Sequence, residues 1–314
     1  MLLRTNDQGD IKRMKIPSTV LLRRAFVAAQ PDGVRKVFNS FFRRKSAGAK
    51  KRKPGSDYWL RLPYWRILPV ALHRHPGMNR RRIPVPPGFL RDVQWAQYCL
   101  FLFIRLQDDV FDGQAADPAM IYASDQCLFE AERIFAKYFD RRSWFWREYR
   151  RSLILTTQSI VEVDALQRKS TSRPEDLLGG YVNVSSILKV GSAAVCAKLH
   201  QKSVYRRASS FCNEMAKAGQ LIDDLRDLNE DLVRNRHNYA AKVLSRSENR
   251  MLLIEGTDEI MSGLRVLAVS EQIYSEVHSH IKAASKAIGP LAIPEMCNYI
   301  EYQSSLVPTT MPPR

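Results

Sequence analysis

The chain has 314 residues, 45% of them hydrophobic, and 49 Lys and Arg against 32 Asp and Glu give it a formal charge of +17. This length holds one large helical domain or two small ones around a sizeable core, and no apolar run reaches the ~18–20 residues that span a bilayer. Its five scattered cysteines lack any Cys-x-x-Cys or zinc spacing, which excludes a disulfide or zinc framework and fits a reduced, cytoplasmic compartment.

The positive charge is uneven. Residues 1–55 hold 15 basic residues against Asp7, Asp10 and Asp32. We read residues 1–56 as a basic, partly disordered arm and linker, with charges where a signal peptide needs its apolar stretch. Within it, Ser18–Lys45 forms amphipathic helix broken near Pro31-Asp32-Gly33, a pattern that suits peripheral association with an anionic membrane. Nucleic acid is the weaker partner for this arm, and a homodimer is compatible with the sequence. Lys45–Gly55 has linker composition, so ordered structure is expected to begin near Tyr58. Pro84, Pro86 and Pro87 stop regular structure before a long helix.

From Phe89 onward the spacing of apolar residues favours three and four over two, which predicts an all-α domain over residues 57–305 and a flexible tail over 306–314. Helices are expected at about 88–112, 118–139, 143–169, 174–200, 203–235, 247–287 with an internal break, and 291–304. Asp117-Pro118 supplies a helix start, and Gly113 a helix stop just after an acid cluster. No Gly-x-Ser-x-Gly elbow, Gly-Lys-Ser/Thr phosphate loop or dinucleotide glycine fingerprint occurs, which argues against hydrolase, P-loop and Rossmann chemistry.

Two acid clusters of one pattern stand out: Asp108-Asp109-Val110-Phe111-Asp112 and Asp223-Asp224-Leu225-Arg226-Asp227, about a hundred residues apart. Asp108 and Asp112 stand one turn apart on a helix face shared with Arg105, Phe101 and Tyr98, with Asp109 at its edge. Asp223, Asp227 and Asp231 fall at i, i+4 and i+8 with Gln220 and Arg234, opposite Leu221, Leu225, Leu228 and Leu232. A solvated acidic helix face would produce the second pattern unaided. The repeated three-acid spacing, the apolar helical flanks and the lack of regular i+4 lysines point instead to a cation site. Crowded carboxylates repel one another until a cation neutralises them, and hard oxygen donors suit Mg²⁺ bridged by a diphosphate.

Arg105-x-x-Asp108-Asp109-x-x-Asp112-Gly113, with Gln220-Leu221, Asp227-x-x-Glu230-Asp231, Arg234 and Arg236, resembles the class I (trans) isoprenoid synthase superfamily over roughly residues 87–243. The motifs are closest to squalene and phytoene synthases, while Asp223-Asp224 and Lys189 before Val190-Gly191-Ser192 are similar to prenyl diphosphate synthases. The arginine pair that chain-elongating members carry soon after the first motif is missing, as is their N-terminal Gly-Lys-x-x-Arg element.

The resemblance implies an all-α bundle around a central cavity, with both acid motifs facing it and holding three Mg²⁺ ions. Asp108, Asp109, Asp112, Asp223 and Asp227 would be catalytic, with Asp224 and Asp231 as further metal ligands. Lys189, Arg234, Arg236 and Arg105 would bind diphosphate, and Tyr98, Phe101, Phe103, Ile104 and Gln220 would line the substrate pocket. The implied reaction ionises an allylic prenyl diphosphate and transfers the prenyl cation to a second isoprenoid. A terpene synthase acting on one substrate is the alternative among enzymes, and a catalytically silent relative that binds membrane or nucleic acid through its arm is the alternative outside them.

Overall fold

A computed structural model of the chain describes residues 19–47, 62–79, 83–111, 113, 117–246 and 259–308. Among the described residues every regular element is a helix. In chain order these are α1 (Val20–Ala28), α2 (Asp32–Ala47), α3 (Tyr64–Arg74), α4 (Phe89–Phe111), α5 (Ala119–Ala136), α6 (Trp144–Gln167), α7 (Pro174–Val184), α8 (Val190–Lys198), α9 (Lys202–Arg226), α10 (Leu228–Val233), α11 (Tyr239–Arg246), α12 (Glu259–Ile288) and α13 (Pro294–Ser305). The all-α expectation holds. The chain divides into two compact units, one of residues 1–149 and 187–205 and the other of residues 150–186 and 206–314.

The first unit is built on α4, which packs against α3, α5 and α8. Its apolar positions recur at helical spacing, so Val93, Ala96, Cys99, Leu100 and Leu106 are all removed from water. The last turn of the helix carries Asp108 and Asp109, and Gly113 stops the helix in the left-handed region at φ +67°. The start of α5 follows the sequence reading, since the Asp117 carboxylate accepts the Ala119 N–H at 2.9 Å. Helix α8, Val-Gly-Ser-Ala-Ala-Val-Cys-Ala, is buried along nearly its whole length. A Cβ on Gly191 would lie 3.0 Å from Gln97 Oε1 and 3.2 Å from Pro69 Cγ, so only glycine lets α8 approach α3 and α4 this closely.

Among the described residues the helices begin at Val20, inside the stretch Ser18–Lys45 expected as amphipathic helix and ahead of Tyr58, the expected start of ordered structure. The break at Pro31-Asp32-Gly33 falls between α1 and α2 as expected, but α2 is docked on α5. Val37, Phe38 and Phe41 are buried, and Phe26 of α1 packs edge-on to Phe38 and to Trp95 of α4. The basic composition of this stretch hides a complete apolar stripe at 34, 37, 38 and 41, which is reason enough for it to fold. Helix α3 also differs from expectation, since Pro69 stands inside it. Proline removes one donor and crowds the preceding turn, yet α3 is buried at Ile67, Leu68, Val70 and Leu72 against α4 and α8.

In the second unit α12 packs on α11 and α13, and α7 on α11. Ile273, Val277, Ile281 and Ala284 form the buried stripe of α12, and Met296 and Ile300 are buried on α13. The predicted helix 203–235 is interrupted at Asp227, which separates α9 from α10, although Asp227 N–H still donates to Asp223 O and Asp231 N–H to Asp227 O, both at 2.9 Å. Asn235, left-handed at φ +54°, ends α10, and Arg236 N–H closes back on Asp231 O at 2.7 Å. Helix α11 has no counterpart in the sequence reading. The expected tail begins packed, with Val307 buried. The predicted stretch 247–258 lies outside the described residues.

If α2 is an integral layer of the first unit, Phe38→Ala lowers unfolding stability by about 3–5 kcal/mol, read from urea denaturation monitored by circular dichroism. An unchanged midpoint would mean that α2 is a detached extension.

Candidate functional site

The first acid cluster ends α4. Asp109 is only 1% exposed, and a carboxylate taken so far from water requires matching charge and hydrogen bonds. Lys45 of α2 supplies them at 3.0 Å, with Arg44 and Arg105 each at 3.7 Å. Asp108 is partly exposed and lies 3.8 Å from Arg105. Arg105 thus serves as counter-ion to both aspartates. Asp112 lies outside the described residues. Sequence reasoning missed Arg44 and Lys45; the signal available was their place one turn beyond the buried Phe41.

Along α4 before the cluster, Tyr98 and Phe101 belong to a group of packed aromatic rings. Phe101 stacks on Trp65 of α3 at 5.1 Å between ring centroids, and Tyr98 bridges Trp95 and Phe101 at 5.8 and 6.2 Å. Phe103 and Ile104 are buried. Burial pushes the Tyr98 phenol up, and a hydrogen bond to Arg23 of α1 opposes it. Arg23 also lies 4.6 Å over the Phe42 ring, a cation–π contact. Lys189 is buried at the N-terminal boundary of α8, in the same unit as the first cluster. Beside it in sequence, Ser192 Oγ is buried with no hydrogen-bond partner, as is Gln94 Nε2 of α4.

The second acid cluster lies in the other unit, and its members fall into different environments. Asp224 is buried and serves as an anchor: it accepts from Tyr181 OH at 2.5 Å, Gln220 Nε2 at 3.0 Å and the Tyr239 N–H at 2.9 Å. Gln220 is therefore committed to Asp224. Burial raises the Asp224 carboxyl to about 6, against the lowering effect of those three donors, and it drives the Tyr181 phenol well upward. Asn238 is the hidden organiser of the turn, donating to Asp224 O and to Asp231 Oδ2, both at 2.8 Å. Burial raises Asp231 as well, with Asn238 opposing.

Asp223 and Asp227 face solvent, with Arg226 3.4 Å from Asp223. Arg234 pairs with Glu230 at 2.7 Å one turn back, and Arg236 lies 3.6 Å from Asp164 of α6. Arg236 also holds Asp231, through its N–H to the Asp231 carbonyl and by the pull of its charge on the carboxylate. Carboxylate oxygens are hard donors of the kind a divalent cation takes, and accessible ones stand at Asp108 in the first unit and at Asp223 and Asp227 in the second. The oxygens of Asp109 and Asp224 are already engaged by protein donors. Among the described residues no group of three or more acidic, histidine or cysteine side chains is gathered tightly enough to hold a metal alone, so bound phosphate oxygens and waters would have to complete any coordination shell.

The architecture matches a known one. The crystal structure of heptaprenyl diphosphate synthase from Staphylococcus aureus superposes with a TM-score of 0.55 at 11% sequence identity, covering 87% of this chain and 96% of that one. The chain has an isoprenoid synthase fold. No protein-family model and no curated protein matches it.

The Asp224 anchor sets a pH dependence. A carboxyl whose folded value of about 6 stands above its unfolded value of 3.8 contributes its full stability below the unfolded value and loses it as pH rises through the folded one. Between pH 4 and 7 the group therefore removes on the order of 3 kcal/mol. In chelator-treated protein, Asp224→Asn should abolish that part of the decline in urea-derived stability; parallel pH profiles for the two proteins would exclude it.

Proposed function

We propose that the chain is a Mg²⁺-dependent isoprenoid synthase that ionises an allylic prenyl diphosphate and joins the prenyl cation to a second isoprenoid. One observation carries this reading: a fold shared with a prenyl diphosphate synthase bears two aspartate clusters of identical spacing, each at the end of a long helix. The motif D-x-x-E-D at Asp227–Asp231, with its arginines, supports a squalene or phytoene synthase-like condensation within that class.

In this reading Asp108 in the first unit, and Asp223 and Asp227 in the second, would each offer accessible oxygens to Mg²⁺. Bound Mg²⁺ neutralises the diphosphate and so lowers the barrier to cleavage of the allylic C–O bond. Arg234, which is half exposed, can exchange Glu230 for a phosphate oxygen at little cost, because a surface ion pair is weak. The stacked Trp65, Phe101 and Tyr98 give an apolar wall whose ring faces stabilise positive charge and keep water out. Asp109 takes no direct part while Lys45 occupies it, so α2 governs how much negative charge the first cluster offers.

Incubation with ten-, fifteen- and twenty-carbon allylic diphosphates plus Mg²⁺, each alone and with a second prenyl diphosphate, followed by mass spectrometry, separates condensation from single-substrate cyclisation. Asp108→Ala and Asp227→Ala should each slow diphosphate release about a hundredfold to a thousandfold. Release at the unaltered rate in both variants would falsify the assignment.

Lys45→Ala makes a further prediction in the opposite direction. With its ammonium gone, Asp109 gains net negative charge, and Mn²⁺ binding followed by electron paramagnetic resonance should tighten about three- to tenfold. Weaker binding in the variant would make Lys45 a ligand-side residue instead of a competitor.

A further inference from the structure

We propose that the end of α2, together with the adjoining ends of α4 and α5, is a docking surface for an anionic lipid bilayer. Side-chain contacts bring the end of α2 to the ends of α4 and α5. Arg44 and Lys45 reach Asp109 near the end of α4, and Arg44 Nη2 also lies 3.5 Å from Met120 Sδ in the first turn of α5. Around that junction large apolar side chains stand in water: Phe111, two residues past Asp109, is 48% exposed, and Ile121 and Tyr122, next to Met120, are 43% and 68% exposed. Arg43 points outward on the stripe of α2 that exposes Lys36, Asn39 and Ser40.

The charge of α2 is one-sided, while the end of α4 adds the partly exposed Asp108, which lies 3.8 Å from Arg105. Helix α2 carries Arg35, Lys36, Arg43, Arg44 and Lys45 against Asp32 alone, and Asp32 is paired with Arg35. Lys45 and Arg44 are half used by Asp109, but Arg43 has no acidic partner among the contacts resolved; its guanidinium makes only a long bond to Asn39 O at 3.4 Å. The acid nearest the start of α5, Asp117, is occupied in capping it.

A bilayer interface accepts each of these groups. Lipid phosphates take Arg and Lys at about 1 kcal/mol each, the amphipathic ring of a tyrosine settles at headgroup level, and aliphatic and phenyl groups leave water for the acyl boundary. A nucleic acid would use the cations but would gain nothing from Ile121. The surface borders the first acid cluster, but vesicle binding is read without turnover, so its test stands even if the chain catalyses nothing.

The test is co-sedimentation of the full chain with vesicles of phosphatidylcholine alone and of phosphatidylcholine with phosphatidylglycerol, alongside light scattering for oligomeric state and a gel-shift assay with duplex RNA. We expect binding to the anionic vesicles only. Ile121→Ser combined with Tyr122→Ser should weaken it about tenfold or more, and Arg43→Gln about fivefold, with helix content unchanged by circular dichroism. The proposal is overturned by any of four results. These are no vesicle binding, anionic binding indifferent to the double variant, RNA binding at least as tight as vesicle binding, or a change of oligomeric state in the double variant without a loss of vesicle affinity.

Discussion

A carboxylate removed from water has to be answered by positive charge or by donors, and the answer given to Asp109 organises the first half of this molecule. Lys45, Arg44 and Arg105 converge on it from two helices. The contact fixes the end of α2 over the end of α4, and the apolar stripe of Val37, Phe38 and Phe41 makes the same docking favourable along the rest of α2. Electrostatics here selects the register, while burial supplies most of the free energy. What the composition alone presents as a charged arm is therefore part of the wall around the first acid cluster.

Asp224 meets the same physical demand with neutral donors. Tyr181, Gln220 and the Tyr239 N–H satisfy its oxygens, and burial raises its proton affinity against the pull of those donors. The difference has a functional meaning. Asp109 is held through the side chains of Lys45, Arg44 and Arg105, whereas freeing Asp224 would dismantle the joint between α7, α9 and α11. Of the paired aspartates, Asp108 and Asp223 retain the accessible oxygens that chemistry on a phosphate needs.

Much of this was legible from sequence where a local signal had a local cause. Asp117-Pro118 and Gly113 marked helix ends because capping and left-handed turns depend on a few adjacent residues, and the long stripes of α4 and α9 showed their period plainly. Three features escaped because their causes are distant. Helix α3 accommodates Pro69 only through burial against α4 and α8. Helix α11 is too short to display a period and is held by Asn238 and Asp224. The break at Asp227 leaves the i to i+4 bonds nearly intact, so the spacing of Asp223, Asp227 and Asp231 looks the same with or without it. The isoprenoid synthase fold was readable from the acid motifs and agrees with the superposition on heptaprenyl diphosphate synthase; the separate fates of Asp109 and Asp224 were not, since nothing in either motif reveals which neighbour will cover it.

The seating of α2 also changes what a shortened protein would mean. Trimming the chain to the start of α3, as one would remove a tag, lays bare Trp95 and strips three cations' worth of compensation down to Arg105 alone beside a carboxylate built to live without water. Such a fragment would be crippled by its own uncovered interior, and its silence in any assay would say nothing about what the missing helices bind.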